Sequence, residues 1–262
     1  MAEHSALHAI LQPGGITPLY QPIVRLAKDN GGPKLFAVEC LSRGPKGTNF
    51  ESAQILFEYV RLKREESLVD RACISAALDR AGALPPDLHL AINVHASTLG
   101  RDVSFVPFLR SVAERNRIPM SRLTVEVVEH APPWDNASFI DAIANLRGLG
   151  AKVAVDDVGL GQSNFKMLID VSPDFLKLDR YFVDRCVDDP KRQAVISAVA
   201  RLSAEFGAEV VAEGVEDPSV IEVLQRYGIG LMQGYYFAQP MTAAEVQSRY
   251  GDARPSVHAA IL

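Results

Sequence analysis

The stretch VAVDDVG, residues 153–159, decides the fold. It runs small apolar residues straight into two adjacent aspartates. Alternating Val and Ala with no polar face reads as a strand covered on both sides, with Asp156 and Asp157 emerging where it surfaces. Strands buried on both faces belong to α/β proteins. Two unneutralised carboxylates at such a point would repel, and burial would raise at least one pKa. The sequence therefore demands positive charge nearby.

Working outward from this strand, seven other short apolar runs are strand candidates of the same kind, LYQPIV, LFAVECL, LHLAINV, RLTVEVV, FLKLD, EVVAEG and IGLMQGY. Between most of the later ones lie helical patterns such as SLVDRACISAALDRAG, SFIDAIANLRGLG and KRQAVISAVARLSAEFG, several closed by glycine. Strand, helix, strand, repeated, implies a parallel sheet. The first two strands are separated only by the DNGGPK turn at 29–34, too short for a helical crossover, so they are expected to be antiparallel. No GxGxxG follows the first strand, which argues against an open dinucleotide-binding sheet. Eight strands in 262 residues suit closure. The expected fold is a TIM-like (β/α)8 barrel with one antiparallel strand near the start. Residues 1–262 are read as a single domain, its core about 17–250, with short terminal extensions.

Composition narrows the function. Lys and Arg total 27 against 32 Asp and Glu, a net charge of −5, and no basic run stands out, so nucleic-acid binding is disfavoured. No apolar run is long enough for membrane insertion, and the N-terminus lacks the pattern of a secretion signal. The three cysteines, Cys40, Cys73 and Cys186, are odd in number and lack CxxC spacing. That argues against a disulfide framework and fits a reducing cytoplasm.

The C-terminal ends of the runs carry Glu39, Asn93, Glu126, Asp156 with Asp157, Lys177, Glu213 and Gln233. In a parallel barrel those ends share one face, where active sites are built. Singly, each has an ordinary reading: Asn93 as a turn cap, Glu126 and Glu129 as a solvated pair, Lys177 and Asp179 as a surface ion pair. Collectively, chance placement of every such residue at the same end is improbable. The donor set is oxygen-rich, suited to Mg²⁺ or Mn²⁺ rather than zinc. Two ions sharing Asp156, one of them also bound by Asp157, would come closer to charge balance than one. Such a pair suits phosphoester hydrolysis, with Lys177 as a fixed positive charge beside it.

These blocks, in order, resemble the EAL family of bacterial cyclic di-GMP phosphodiesterases: YQPIV, ECLSR at the name-giving Glu-Ala-Leu, INVHAS, VEVVE, DDVGLGQS, LKLD, AEGVE and QGYYFAQP, spanning about Leu19 to Met241. The resemblance implies a TIM-like barrel with one antiparallel strand and hydrolysis of cyclic di-GMP to linear pGpG. It implies one metal held by Glu39, Asn93, Glu126 and Asp156, and a second by Asp156, Asp157 and Glu213. Lys177 and Gln233 would orient the hydrolytic water. Gln21, Arg43 and Asp179 resemble substrate-contacting positions, Arg43 for the uncleaved phosphate and Asp179 for a guanine edge. Glu129 resembles the residue anchoring the loop after the aspartate pair, and the family implies a homodimer through that loop. Here the loop reads DDVGLGQSNF where the family usually has DDFGTGYSSL, so Val158, Leu160, Gln162, Asn164 and Phe165 differ. The departures leave open an alternative, a receptor that binds cyclic di-GMP without cleaving it. A barrel aldolase using Lys177 as a Schiff base is disfavoured, because surrounding carboxylates would raise the lysine pKa.

Overall fold

In a computed structural model, residues 2–26, 32–128, 136–159 and 165–251 are described. Eight strands close a barrel in sequence order. They are β1 Thr17–Arg25, β2 Lys34–Arg43, β3 His89–His95, β4 Leu123–Val128, β5 Lys152–Val158, β6 Phe175–Leu178, β7 Glu209–Ala212 and β8 Leu231–Met232. The helices are α1 Ala2–Leu11, α2 Ala53–Lys63, α3 Glu66–Arg80, α4 Ala96–Arg101, α5 Phe105–Arg115, α6 Asn136–Gly148, α7 Phe165–Val171, α8 Arg180–Val183, α9 Pro190–Phe206, α10 Ser219–Arg226 and α11 Ala243–Tyr250.

The expected antiparallel start is present. β1 pairs with β2 from Thr17↔Arg43 to Arg25↔Lys34 and, again antiparallel, with β8 through Val24↔Met232. Every other neighbouring pair is parallel. Of the turn inferred at 29–34, residues 29–31 lie outside the described residues. β8 is only two residues long, much shorter than the run IGLMQGY suggested, because the backbone turns at Gly234. A Cβ there would lie 2.1 Å from the Val215 carbonyl oxygen, so only glycine lets these loops pass so closely.

Two faces of each strand do different work. Outward residues such as Val38, Leu90, Val125, Val153, Leu176 and Val210 pack beneath the helices in one large core. Inward, Ile23, Ala37, Ala154, Phe175, Val211 and Leu231 fill a layer across the barrel. Strand side chains alternate, so the next inward position toward the mouth lies two residues on, or two back in antiparallel β1. Those positions are Gln21, Glu39, Asp156, Lys177, Glu213 and Gln233, with Asn93 and Glu126 two beyond Ala91 and Thr124. The site is thus one layer of the barrel interior, resting on an apolar floor.

Secondary anchors hold the walls. The buried Tyr20 hydroxyl donates to the Ala77 carbonyl at 2.6 Å, tying β1 to α3. At the opposite end of the barrel, Arg25 donates bidentately to Glu209 at 2.6 and 3.0 Å and lies over Phe36.

Candidate active site

Lys177 is the hub of the mouth. Only 2% exposed, its Nζ lies 2.7 Å from Glu213 Oε1, 2.8 Å from Glu126 Oε2, 3.4 Å from Glu39 Oε2 and 3.6 Å from Asp156 Oδ1. Burial opposes its charge, yet these four carboxylates hold the ammonium well above the usual lysine range. A lysine so firmly cationic is the wrong nucleophile for Schiff-base chemistry.

Around this hub the amides are placed by hydrogen bonds. Asn93 Nδ2 donates to Glu39 Oε1 at 2.7 Å. Gln233 Nε2 donates to Glu39 Oε2 at 2.7 Å and to Gln21 Oε1 at 3.0 Å, while Gln21 Nε2 donates to the Ala238 carbonyl. Burial works against Glu39, but Lys177, Asn93 and Gln233 together keep its carboxyl below its ordinary range. Glu126 has fewer donors. Burial pushes it up to about 8, against the pull of Lys177, and Glu39 and Asp156 add to the rise. Burial likewise carries Glu213 well above its ordinary value, against the pull of Lys177 and with Asp156 and Glu39 adding to the rise.

The aspartate pair depends on a backbone irregularity. Consecutive strand residues face opposite sides, so Asp156 and Asp157 could not both reach the mouth from a regular strand. The β5–β6 register shifts between Val155 and Val158, and Asp157 takes a left-handed φ of +52°. This bulge re-aims Asp157. Its backbone N–H donates to Asp156 Oδ1 at 2.9 Å. Asp156, Asp157 and Glu213 each offer an oxygen within 4.8 Å of the others. Desolvation, Asp156 and Asp179 push Asp157 up to about 6.

Asp179, expected at a guanine edge, sits against Asp157 and caps α8 by accepting from the Tyr181 N–H. Arg43 ends β2 and lines a cavity of about 580 Å³ that also touches Asn93, Asp156 and Asp157. Glu129, Leu160, Gln162 and Asn164 lie outside the described residues. Glu39, Asn93, Glu126, Asp156, Asp157, Lys177, Glu213, Gln233 and Gln21 are therefore brought together, with Arg43 and Asp179 at the margins.

Sequence reasoning missed Asp70. Buried on α3, it accepts from the His95 N–H at 3.0 Å and the Thr98 hydroxyl at 2.6 Å, pinning the end of the strand that carries Asn93. The signal was available: Asp70 falls among Val69, Cys73, Ile74 and Ala77 on the apolar stripe of α3.

Five carboxylates face one ammonium in an all-oxygen site that favours hard divalent cations. Buried Gln233 Oε1 has no hydrogen-bond partner among the described residues. Charge excess, donor type and an unpaired acceptor all fit bound cations with water. The fold and site thus define a TIM-like barrel with an acidic, cation-ready mouth.

The chain belongs to the EAL family: the EAL domain model matches residues 4–240. It is 30% identical over 239 residues to the cyclic di-GMP phosphodiesterase RocR of Pseudomonas aeruginosa, covering 88% of this chain and 59% of RocR. The chain thus spans less than two thirds of that relative. Among solved structures, the EAL enzyme Bd1971 in its cAMP and cyclic-di-GMP bound form is similar at a TM-score of 0.83 and 26% identity, over 95% of this chain and 68% of that one. A manganese/cy-diGMP complex of Klebsiella pneumoniae BlrP1 is similar at a TM-score of 0.76 and 28% identity, over 88% and 58%. No helix among the described residues is long and apolar enough to cross a membrane.

Proposed function

We propose that this chain is a divalent-metal-dependent phosphodiesterase that hydrolyses cyclic di-GMP to linear pGpG. The observation that carries the reading is the convergence of Glu39, Asn93, Glu126, Asp156, Asp157 and Glu213 around Lys177 in a chain of the EAL family. Glu39, Asn93, Glu126 and Asp156 would hold one Mg²⁺ or Mn²⁺, and Asp156, Asp157 and Glu213 a second. Bound there, the two ions would supply an acidified water and Lewis-acid stabilisation of phosphoryl charge. The protein's own groups do the rest. Lys177, itself only 2% exposed, presents fixed positive charge where negative charge develops. Gln233 Oε1 accepts a hydrogen bond from the attacking water, and Gln21 steadies Gln233 from behind. Water adds across one P–O3′ bond, leaving a 3′-hydroxyl and a 5′-phosphate on the linear product. Arg43 holds the uncleaved phosphate, and Asp179 meets a guanine edge.

Residues 1–262 are proposed to act as one domain, in the cytoplasm, and to pair as a homodimer. Support for pairing comes from α7, where Phe165, the last residue of the divergent loop, and Ile169, one turn on, are 74% and 68% exposed. Sedimentation analysis distinguishes monomer from dimer.

The central test follows linear pGpG by chromatography from cyclic di-GMP with Mg²⁺ or Mn²⁺, for the parent and Glu39→Ala. Product from the parent and none from a folded variant is the expected result. Full activity in Glu39→Ala refutes the ligand assignment. Tight binding with no product from the parent would instead make the chain a receptor.

A further inference from the structure

The reaction cavity, about 290 Å³, has Glu39, Asp156, Lys177 and Glu213 in its depth and Arg180, Gly214 and Glu216 on its rim. Lys177 and Arg180 are its two lining cations. Lys177 has three N–H donors and four carboxylate neighbours, so nothing remains for a ligand without rearrangement. Arg180 differs. A guanidinium carries five N–H donors, and Glu216 engages two of its nitrogens, Nη1 at 2.9 Å and Nη2 at 3.3 Å. The other donors have no protein partner among the described residues.

The arginine is also held in place. Gly214 has φ +63°, and a Cβ there would lie 2.4 Å from Arg180 Cγ and 2.5 Å from its Cβ. The arginine stem therefore lies directly on this glycine, while Glu216, two residues further on, clamps the head. One segment, 213–216, supplies an acid of the site, a seat for the stem and a clamp. An ordinary surface ion pair requires neither the seat nor a position on the cavity wall.

Resting on the phosphodiesterase reading, we propose that Arg180 is a substrate-binding residue that holds the phosphate undergoing hydrolysis, and then the 5′-phosphate of the product. Its fork of N–H groups suits phosphate oxygens. Arg43 lines the neighbouring cavity instead, and Asp156 borders both. The two phosphates of a cyclic dinucleotide would thereby meet separate arginines, and the phosphate over the acidic centre would meet Arg180.

The test measures KM for cyclic di-GMP with Mn²⁺, and inhibition by pGpG and by GpG, which lacks the 5′-phosphate, for the parent, Arg180→Ala, Arg180→Lys and Glu216→Gln. Loss of a charge-assisted contact is expected to raise KM and the pGpG inhibition constant about tenfold to a hundredfold in Arg180→Ala. The GpG constant should change less than about threefold, Arg180→Lys should recover part of the loss, and Glu216→Gln should fall between parent and alanine variant. The rise in melting temperature on adding Mn²⁺ alone should match the parent. KM and pGpG inhibition within about twofold of the parent overturn the assignment, as does loss of the Mn²⁺ shift, which would reduce Arg180 to structural support for Glu213. A parent that neither binds nor hydrolyses cyclic di-GMP overturns the phosphodiesterase reading and this assignment together.

Discussion

Replacing Lys177 with methionine removes one charge from the centre of the mouth while keeping most of the side-chain length. Four carboxylate oxygens lie between 2.7 and 3.6 Å from its Nζ. At an effective dielectric near 20, each contact is worth about 5–6 kcal/mol of attraction. Those attractions do not add, because desolvating the ions and crowding the acids oppose them. Removing one partner of a buried ion pair has a net cost of about 3–5 kcal/mol, and that is the loss expected here at pH 8 in chelator. At about 2–4 °C per kcal/mol for a domain of this size, melting should fall by roughly 6–20 °C.

The sign of the pH dependence follows from the carboxylates. Without the ammonium, Glu126 and Glu213, already held above their ordinary range, rise further above their unfolded-state values, so the folded protein binds more protons in the window between the two. The penalty is present above the folded pKa and is relieved as pH falls through it. The deficit of Lys177→Met should therefore shrink between pH 8 and pH 5. Saturating Mn²⁺ should restore part of the loss, about 2.7 kcal/mol at a hundredfold excess over its dissociation constant. Melts followed by circular dichroism in chelator, across pH and with Mn²⁺, provide the assay. A variant that melts within about 1 °C of the parent at pH 8, or whose deficit grows on acidification, refutes the hub reading.

Asp70→Asn tests the buried acid of α3. Burial pushes Asp70 up to about 6 from 3.8, so the parent loses stability as pH rises from about 4 to 6, and the variant should escape up to about 3 kcal/mol of that loss. Parallel pH profiles of melting temperature for the two proteins would contradict this. Asp157→Asn keeps a residue type that tolerates the left-handed backbone but removes charge beside Asp156 and Asp179. It should raise chelator-state stability by up to about 1 kcal/mol while abolishing turnover, and a less stable variant would count against repulsion at the bulge.

Much of this architecture was legible because it is written in period two. Ahead of Glu39, Asn93 and Lys177 the inward residue is apolar, Ala37, Ala91 and Phe175, and the next inward position turns polar, which is the site; on β4 the inward residue before Glu126 is already polar, Thr124. The antiparallel first strand was legible from loop length alone. What escaped was set by contacts no local pattern encodes. Gly234 ends β8 early because Val215 passes within a Cβ's reach, and Val215 is nineteen residues away in sequence. Arg180 was not singled out, because its significance depends on Gly214 and Glu216, brought beneath and beside it by β7.

The adjacent aspartates mark the boundary between these two kinds of information. Their charges could be read as a demand for cations, but a regular strand would have sent one of them outward, into the helix layer. The demand is met only because the chain bulges and Asp157 accepts a left-handed backbone, a conformation costly for most residues and tolerated by aspartate. Local strain and charge repulsion are thus concentrated at the strand end that the proposed cations would relieve. The residue type that makes the bulge tolerable is also one that can ligate a metal. A single choice, aspartate at 157, therefore serves both the backbone and the chemistry, which is why the sequence shows two acids in a row where a barrel strand would ordinarily offer one.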